Sequence, residues 1–316
     1  MPSTETEPLI VIVGPTAVGK TEISLQIAER IGGEIVSADS RLFYRGMDIG
    51  TAKPSPADQN RVPHHLIDVA DPDEPWSLSV FQEAARAAIA DIHRRGKMPI
   101  LVGGTGQYIR AVIEGWEPPA QGPNVQLRNY LERWAGEIGA YEMHQRLRVL
   151  DPISADRIDM TNVRRTIRAI EVALSTGRRF SDQRGRTPPP FRTLVVGLIR
   201  PRVELYARVD ARIDGMVSGG LLDEVNLLLA KGYSPSLGTL TAIGYREGIA
   251  FVQGEMSLPD AITQMKRLTR RYVRQQSNWF RQEDEQIHWF TVKTGVEDSI
   301  LNLIGNWKKE TTRSSG

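Results

Sequence analysis

The chain has 316 residues, 40% hydrophobic and 25% charged, which is enough to bury one large core or two smaller ones and excludes disorder of the whole chain. It contains no cysteine, which excludes disulfides and thiolate metal sites and fits a reducing compartment, so a cytoplasmic location is expected. Forty Lys and Arg against 38 Asp and Glu leave a net charge of +2, so a nucleic-acid role must rest on where charges lie, not on their sum.

Met1 to Pro8 is polar and carries Glu5 and Glu7, unlike a secretory leader. No segment approaches the roughly 20 apolar residues of a spanning helix, so a soluble protein without membrane contact is expected. The first apolar run, Leu9 to Val13, is strand-sized and leads into Gly14-Pro15-Thr16-Ala17-Val18-Gly19-Lys20-Thr21. A helical pattern with Ile23, Ile27, Ala28 and Ile31 follows. Strand, Gly-x4-Gly-Lys-Thr and helix in that order form a phosphate loop, in which backbone N–H groups and the helix N-terminus face an anion and Lys20 adds a full charge. Thr21 is placed to reach a metal ion on the phosphates.

The next strand, around Ile35 and Val36, ends at Ser37-Ala38-Asp39-Ser40. Ligands of open α/β sheets sit beyond the carboxyl ends of strands, so Asp39 is expected to face the crevice of the loop, where it can accept a proton or hold Mg²⁺; the alternative is a helix N-cap. The glycine-punctuated stretch from Tyr44 to Pro54 reads as a loop that touches a ligand. Pro63-His64-His65 resembles a metal pair only superficially, because no third ligand stands at a zinc-like spacing. A strand is expected at Leu66 to Val69 and a helix at Ser79 to Arg95. The apolar run Ile100 to Val102 ends in Gly103-Gly104-Thr105-Gly106, where an NTPase would carry a magnesium-holding Asp; glycines there let the backbone approach a ligand.

From Asn124 to Phe180 helices follow one another without a strand, with Trp116-Glu117-Pro118-Pro119 and Gln121-Gly122-Pro123 before and Pro188-Pro189-Pro190 after. Asn124 to Thr187 holds twelve Arg, no Lys and eight acids, a net of +4, so this stretch is locally basic; forked phosphate contacts and an Arg-rich coding bias explain it equally well. Strands recur at Leu194 to Ile199 and Ile287 to Val292. The expected fold is therefore α/β, a P-loop NTPase-like parallel sheet flanked by helices with an inserted all-helical domain. Residues 1–115 and 193–316 would form the core and 116–192 the insertion.

Near the C-terminus, Ala261, Met265, Leu268, Tyr272 and Trp279 share one side of a helical wheel, and Arg267, Arg270, Arg271, Arg274 and Arg281 the other. Six basic residues against one acid between Leu258 and Arg281 point to a polyanion; an exposed helix held by acidic partners elsewhere is the alternative. Lys308 to Gly316 reads as a solvated tail.

Together these segments resemble the tRNA isopentenyltransferase family, the tRNA dimethylallyltransferases. The matching pieces, in the family's order, are Gly14 to Thr21, Ser37 to Ser40, Tyr44 to Pro54, Pro63 to Asp68, Gly103 to Gly106, Ile243-Gly244-Tyr245 and Thr269-Arg270-Arg271-Tyr272. The resemblance implies transfer of a dimethylallyl group from dimethylallyl diphosphate to the exocyclic amine of the adenosine 3′ of the anticodon, so the loop would hold two phosphates rather than three. By the same resemblance Asp39 is the general base; Lys20, Thr21 and the loop residues Gly14, Pro15, Thr16, Ala17, Val18 and Gly19 hold the diphosphate, with Mg²⁺ at Thr21; Arg212 adds a contact. It also places tRNA contacts at Asp39, Ser40, Arg41 and Leu42, at Thr105 and Arg128, at Arg164, Arg165, Thr166, Ile167 and Arg168, and at Thr241, Ala242, Ile243, Gly244, Tyr245 and Arg246. The insertion would clasp the anticodon stem, the chain acting as a monomer.

Two departures stand out. Leu42 occupies a position where many relatives carry Gln, and Val273-Arg274-Gln275-Gln276-Ser277-Asn278-Trp279-Phe280 differs from the commoner Ala-Lys-Arg-Gln-Leu-Thr-Trp-Phe. Rival readings of the same residues are an adenylate isopentenyltransferase, a P-loop small-molecule kinase and a non-catalytic RNA-binding protein.

Overall fold

A computed structural model of the chain describes residues 6–74, 76–119, 122, 124–183 and 185–314. Strand β1 (Glu7–Val13) opens it, with Leu9 to Val13 fully buried, as in a strand covered on both faces. Helix α1 (Lys20–Ile31) turns Ile23, Leu25, Ile27 and Ala28 inward. Strand β2 (Gly33–Ser37) is buried throughout, and α2 (Pro56–Arg61) begins at a capping box of Ser55 and Asp58. Strand β3 is only His64–His65. The expected strand at Leu66 to Val69 does not form: Leu66 and Asp68 take φ of 63° and 55°, which no strand accommodates.

Helix α3 (Leu78–Arg94) buries Phe81, Ala85, Ile89 and Ile92; β4 (Met98–Gly103) and α4 (Gly106–Ile113) follow. Next come β5 (Trp116–Glu117), α5 (Val125–Leu150), α6 (Pro152–Arg157), α7 (Val163–Thr176) and β6 (Gly185–Arg186). The chain continues through β7 (Phe191–Ile199), α8 (Arg202–Ser218), α9 (Leu221–Ala230), α10 (Tyr245–Val252) and α11 (Leu258–Gln276). It ends in β8 (Ile287–Thr291) and α12 (Val296–Ser314), so the segment expected as a solvated tail is helical through Ser314.

Six strands form one parallel sheet in the order β3-β2-β4-β1-β7-β8. Strand β1 is central, pairing Ile10 to Val13 with Ile100 to Gly103 on one side and Glu7 to Val13 with Phe191 to Gly197 on the other. The sheet is the mostly parallel, helix-flanked arrangement of the P-loop NTPase-like folds. Strand β7 starts at Phe191, earlier than the expected Leu194, because its first residues already pair with Glu7 and Pro8.

The chain divides into two compact units, one made of residues through Trp76, Phe81–Ile113 and Pro190 onward, the other of Ser77–Val80 and Glu114–Pro189. In the second unit α5 and α7 pack around Leu131, Met143, Leu147, Ile167, Ile170 and Val172. Helix α5 is broken at Gly139 (φ 86°, ψ 164°), which makes it two helices across a kink. The unit is not purely helical, since Trp116 and Glu117 pair antiparallel with Arg186 and Gly185. Gln121 and Pro123, part of the punctuation expected before it, lie outside the described residues.

Candidate active site

The strand order builds the site. Strands β2, β4 and β1 are neighbours, so the segments after their carboxyl ends, Ala38-Asp39, Gly104-Thr105 and the phosphate loop, converge on one edge of the sheet. The middle strand ends in Gly103 and Gly104, which put no side chain of their own between Asp39 and the loop. A Cβ on Gly103 would lie 2.4 Å from the Ala38 carbonyl oxygen, so only glycine fits there, and one on Gly104 would lie 2.5 Å from Gln276 Nε2 and 3.5 Å from Lys20 Nζ. The result is a cleft of about 570 Å³ lined by Thr16, Ala17, Lys20, Thr21, Asp39, Arg208, Arg212 and neighbouring residues.

The cleft holds more positive than negative charge. Burial pulls the Lys20 ammonium down from the ordinary 10.5 to about 8; Asp39 opposes this and Arg212 adds to it. Burial likewise lowers the Arg212 pKa, again opposed by Asp39. Two buried cations sharing one carboxylate are a site for an anion. Lys20 Nζ donates to the loop carbonyls of Gly14 and Pro15 at 2.9 and 3.0 Å, and Arg212 donates to Thr51 O at 3.2 Å. No side chain caps α1 at Gly19, which leaves its first turn to an anion. From the cleft wall Arg208 Nε donates to Ala17 O at 2.9 Å, and from outside it Arg200 Nε donates to Val18 O at 2.8 Å, fixing a loop in which Ala17 takes a left-handed φ of 65°.

Asp39 does not start a helix. Its Oδ1 accepts the Arg41 N–H at 3.1 Å within a turn, so the N-cap alternative is set aside. Ser40, Arg41 and Leu42 are half-buried, Leu42 lining the cleft and Arg41 donating to Thr239 O. The hydroxyl of Thr105 is buried nearby. Thr51, Ala52 and Pro54, from the loop expected to touch a ligand, also line the cleft.

That loop is shaped by a residue sequence reasoning missed. The Glu224 carboxylate accepts the N–H groups of Asp48, Ile49 and Gly50 at 2.8–3.1 Å and the Tyr245 hydroxyl at 2.6 Å. Tyr245 is fully buried against Gly50, and Ala242 and Gly244 are buried as well, so these three expected tRNA contacts do not reach the surface; Thr241 and Arg246 are exposed and Ile243 is half-buried. Gln276, which in the sequence is only part of a divergent segment, bridges the Thr16 N–H of the phosphate loop and the Gly104 carbonyl. Arg208 carried a signal, its four-residue spacing from Arg212 on one helix.

In the second unit, Arg128 and Arg168 both pair with the buried Glu171, at 2.7 and 3.2 Å. Arg164 and Arg165 are exposed. Thr166 and Ile167 are 0% and 3% exposed, so they belong to the bundle core and not to its surface. This is the inward turn of the helix that carries the arginines outward.

The basic face of α11 is partly a helix–helix seam. Lys266 pairs with Asp214 at 2.7 Å and Arg270 with Asp210, both on α8, and Arg274 donates to Tyr206. Arg267, Arg271 and Arg281 are exposed. On the opposite side Ala261 and Met265 pack as expected, but Tyr272 and Trp279 are each 38% exposed, and Val273 and Phe280 are buried in their stead. The helix ends at Gln276, so Trp279 no longer follows its period. The phenol of Tyr272 is desolvated and near Asp39, both of which raise its pKa.

Among the described residues, no cluster of three or more His, Cys, Asp or Glu is arranged to hold a metal ion by itself. His64 instead bonds to Val62 O and His65 to Glu34. Thr21, Glu22 and Asp39 line the cleft, a sparse oxygen set that fits a magnesium ion held mainly by diphosphate oxygens and water.

Residues 42–283 match the family model described as IPP transferase, and residues 8–68 match that described as isopentenyl transferase. The chain is 52% identical over 300 residues to the tRNA dimethylallyltransferase of Roseiflexus sp. (strain RS-1), covering 95% of this chain and 98% of that protein. It is 48% identical to that of Thermomicrobium roseum, covering 90% and 87%. Among solved structures, the full-length tRNA isopentenylpyrophosphate transferase from Bacillus halodurans aligns with a TM-score of 0.72 at 39% identity, covering 98% of this chain and 99% of that one. A eukaryotic dimethylallyltransferase acting on tRNA aligns at 0.73 and 27%, covering 90% and 74%. The chain thus belongs to the IPP transferase family of prenyl-transferring enzymes.

Proposed function

We propose that this chain transfers the dimethylallyl group of dimethylallyl diphosphate to the exocyclic N6 amine of the adenosine 3′ of the anticodon in tRNA, releasing pyrophosphate. The observation that carries the reading is the placement of Asp39 across glycine-ended β4 from a phosphate loop that has no second acid where an NTPase would hold its metal. Gly14 to Thr21 bind the diphosphate. Lys20, Thr21, Arg212 and the amides at the start of α1 stabilise the charge that grows on it as its C–O bond breaks. Asp39 takes the proton from the amine as the carbon–nitrogen bond forms, a step needed because adenine's amine is a weak nucleophile. A magnesium ion at Thr21 would neutralise part of the diphosphate charge.

The target adenosine leaves its stack to enter the cleft. The exposed and half-exposed residues Asp39, Ser40, Arg41, Leu42, Thr105, Thr241, Ile243 and Arg246 are its proposed contacts, with Ala242, Gly244 and Tyr245 supporting them. The unit within the expected 116–192, ending at Pro189 because Phe191 and Arg192 belong to β7, is proposed to clasp the anticodon stem, using Arg164 and Arg165, with Arg128 and Arg168 ordered by Glu171. The donor cleft is complete within one copy of the chain, which supports a monomer, and the tRNA substrate puts the proposed reaction in the cytoplasm. No helix among the described residues is long and apolar enough to cross a membrane.

The test is incubation of the purified protein with labelled dimethylallyl diphosphate and unmodified tRNA, followed by nucleoside analysis, with AMP and an anticodon stem-loop in competition. Label in isopentenyladenosine at the position 3′ of the anticodon is expected. Preferential prenylation of AMP would replace this reading with cytokinin synthesis.

A further inference from the structure

We propose that Gln276 is a positioning residue for prenyl transfer, clamping the phosphate loop to the Gly104-Thr105 loop so that donor and acceptor are held at the reacting distance. The inference rests on the reading of the cleft given above. Gln276 is the last residue of α11 and is 6% exposed. Both ends of its amide are used. Oε1 accepts the N–H of Thr16, in the loop assigned to the diphosphate, at 2.8 Å; Nε2 donates to the carbonyl of Gly104 at 3.0 Å. A primary amide accepts at one end and donates at the other from a single planar group, without needing to change its protonation state. The two partners stand 260 and 172 residues away in the chain, so no local structure sets their separation.

Helix α11 is itself held at both ends of the site. Arg270 and Lys266 tie it to Asp210 and Asp214 of α8, the helix that carries Arg208 and Arg212. Beyond Gln276, Arg110 of α4 donates to the Trp279 carbonyl at 2.8 Å. The amide is therefore presented on a fixed element between two loops that meet opposite reactants. Loosening either bond lets one loop move relative to the other, and misplacement of reacting atoms by about 1 Å can cost 10²-fold in rate without much loss of binding.

Two substitutions test this. Gln276→Met keeps the length and apolar volume and removes both bonds. Gln276→Glu keeps the acceptor for Thr16 but sets a carboxylate oxygen against the Gly104 carbonyl until it is protonated, when its O–H donates there. The expected result for Gln276→Met is a fall in kcat of about 10- to 100-fold with the dissociation constants of donor and tRNA each changed less than about threefold. For Gln276→Glu, activity relative to wild type recovers as pH falls from 8 to about 5.5, a change absent from Gln276→Met. The other titratable groups facing the amide are Lys20 and Tyr272, with Asp39 near the latter. Lys20, at about 8, and Tyr272, raised by burial, stay protonated across the lower part of this range, and Asp39 is common to all three proteins.

Thermal unfolding is recorded alongside. A Gln276→Met protein that melts earlier but keeps wild-type kcat, or a Gln276→Glu protein whose pH profile parallels wild type, overturns the assignment. Wild-type turnover with the same donor and tRNA is measured first: its absence would refute the reading of the cleft, whereas normal wild-type turnover with either overturning result would refute the role of Gln276 alone.

Discussion

Replacing Lys20 by Met should abolish donor binding and yet make the ligand-free protein more stable. In the folded chain the ammonium is buried, bonded only to the carbonyls of Gly14 and Pro15 and facing Arg212, and its pKa falls from 10.5 to about 8. That difference amounts to about 3 kcal/mol of unfavourable free energy at pH 7, where Lys20 is charged in both folded and unfolded states. Met removes this cost but leaves two carbonyls without their donor, which costs about 1–2 kcal/mol. A net gain of about 1–2 kcal/mol, or a rise in Tm of roughly 2–6 °C, is expected.

The sign of the pH dependence is fixed. Because the folded pKa lies below the unfolded one, the unfolded chain binds more protons between about 8 and 10.5, so wild-type stability rises with pH in that window. The gap between variant and wild type, measured by urea unfolding, should therefore be full below pH 8 and shrink as pH approaches 10.5. Scanning calorimetry with dimethylallyl diphosphate should show ligand stabilisation of wild type only. A variant less stable than wild type at pH 7, with a gap constant across the window, would show that the loop does not store electrostatic strain for its ligand.

Other outcomes follow from the same geometry. Asp39→Asn keeps the acceptor for the Arg41 N–H, so tRNA affinity should stay within about tenfold while single-turnover prenyl transfer falls at least 10²-fold; unchanged turnover removes Asp39 as the base. Wild-type kcat/KM for the donor should drop about tenfold per pH unit above about 8, as Lys20 loses the proton that binds the diphosphate, and a flat profile to pH 9.5 would contradict this. Gly50→Ala sets a Cβ 2.6 Å from the buried Tyr245 ring and should cost about 1–3 kcal/mol in chemical denaturation; a change within error would mean the ring yields freely. In tRNA titrations against salt, Arg267→Gln and Arg271→Gln should each lower the slope by about one, whereas Arg270→Gln, paired with Asp210, should lower Tm and leave the slope intact.

The sequence by itself determined what is written in consecutive residues. Leu9 to Val13, the phosphate loop and α1 are one uninterrupted strand–loop–helix, and strands buried on both faces are continuous apolar runs, so the α/β class and the anion-binding loop were legible. Asp39 could be assigned to the crevice because a carboxyl strand end points there in any parallel sheet. Only the tertiary structure decided what meets what. The order β3-β2-β4-β1-β7-β8 sets glycines rather than side chains between Asp39 and Lys20, and no periodicity encodes that order. Helix α11 declared a positive face in its sequence, but Arg270 and Lys266 are neutralised by Asp210 and Asp214, which lie more than 50 residues earlier. Gln276 and Glu224 gave no local sign of their importance, because a buried polar side chain is defined by the partners that satisfy it, and those arrive from the far ends of the chain.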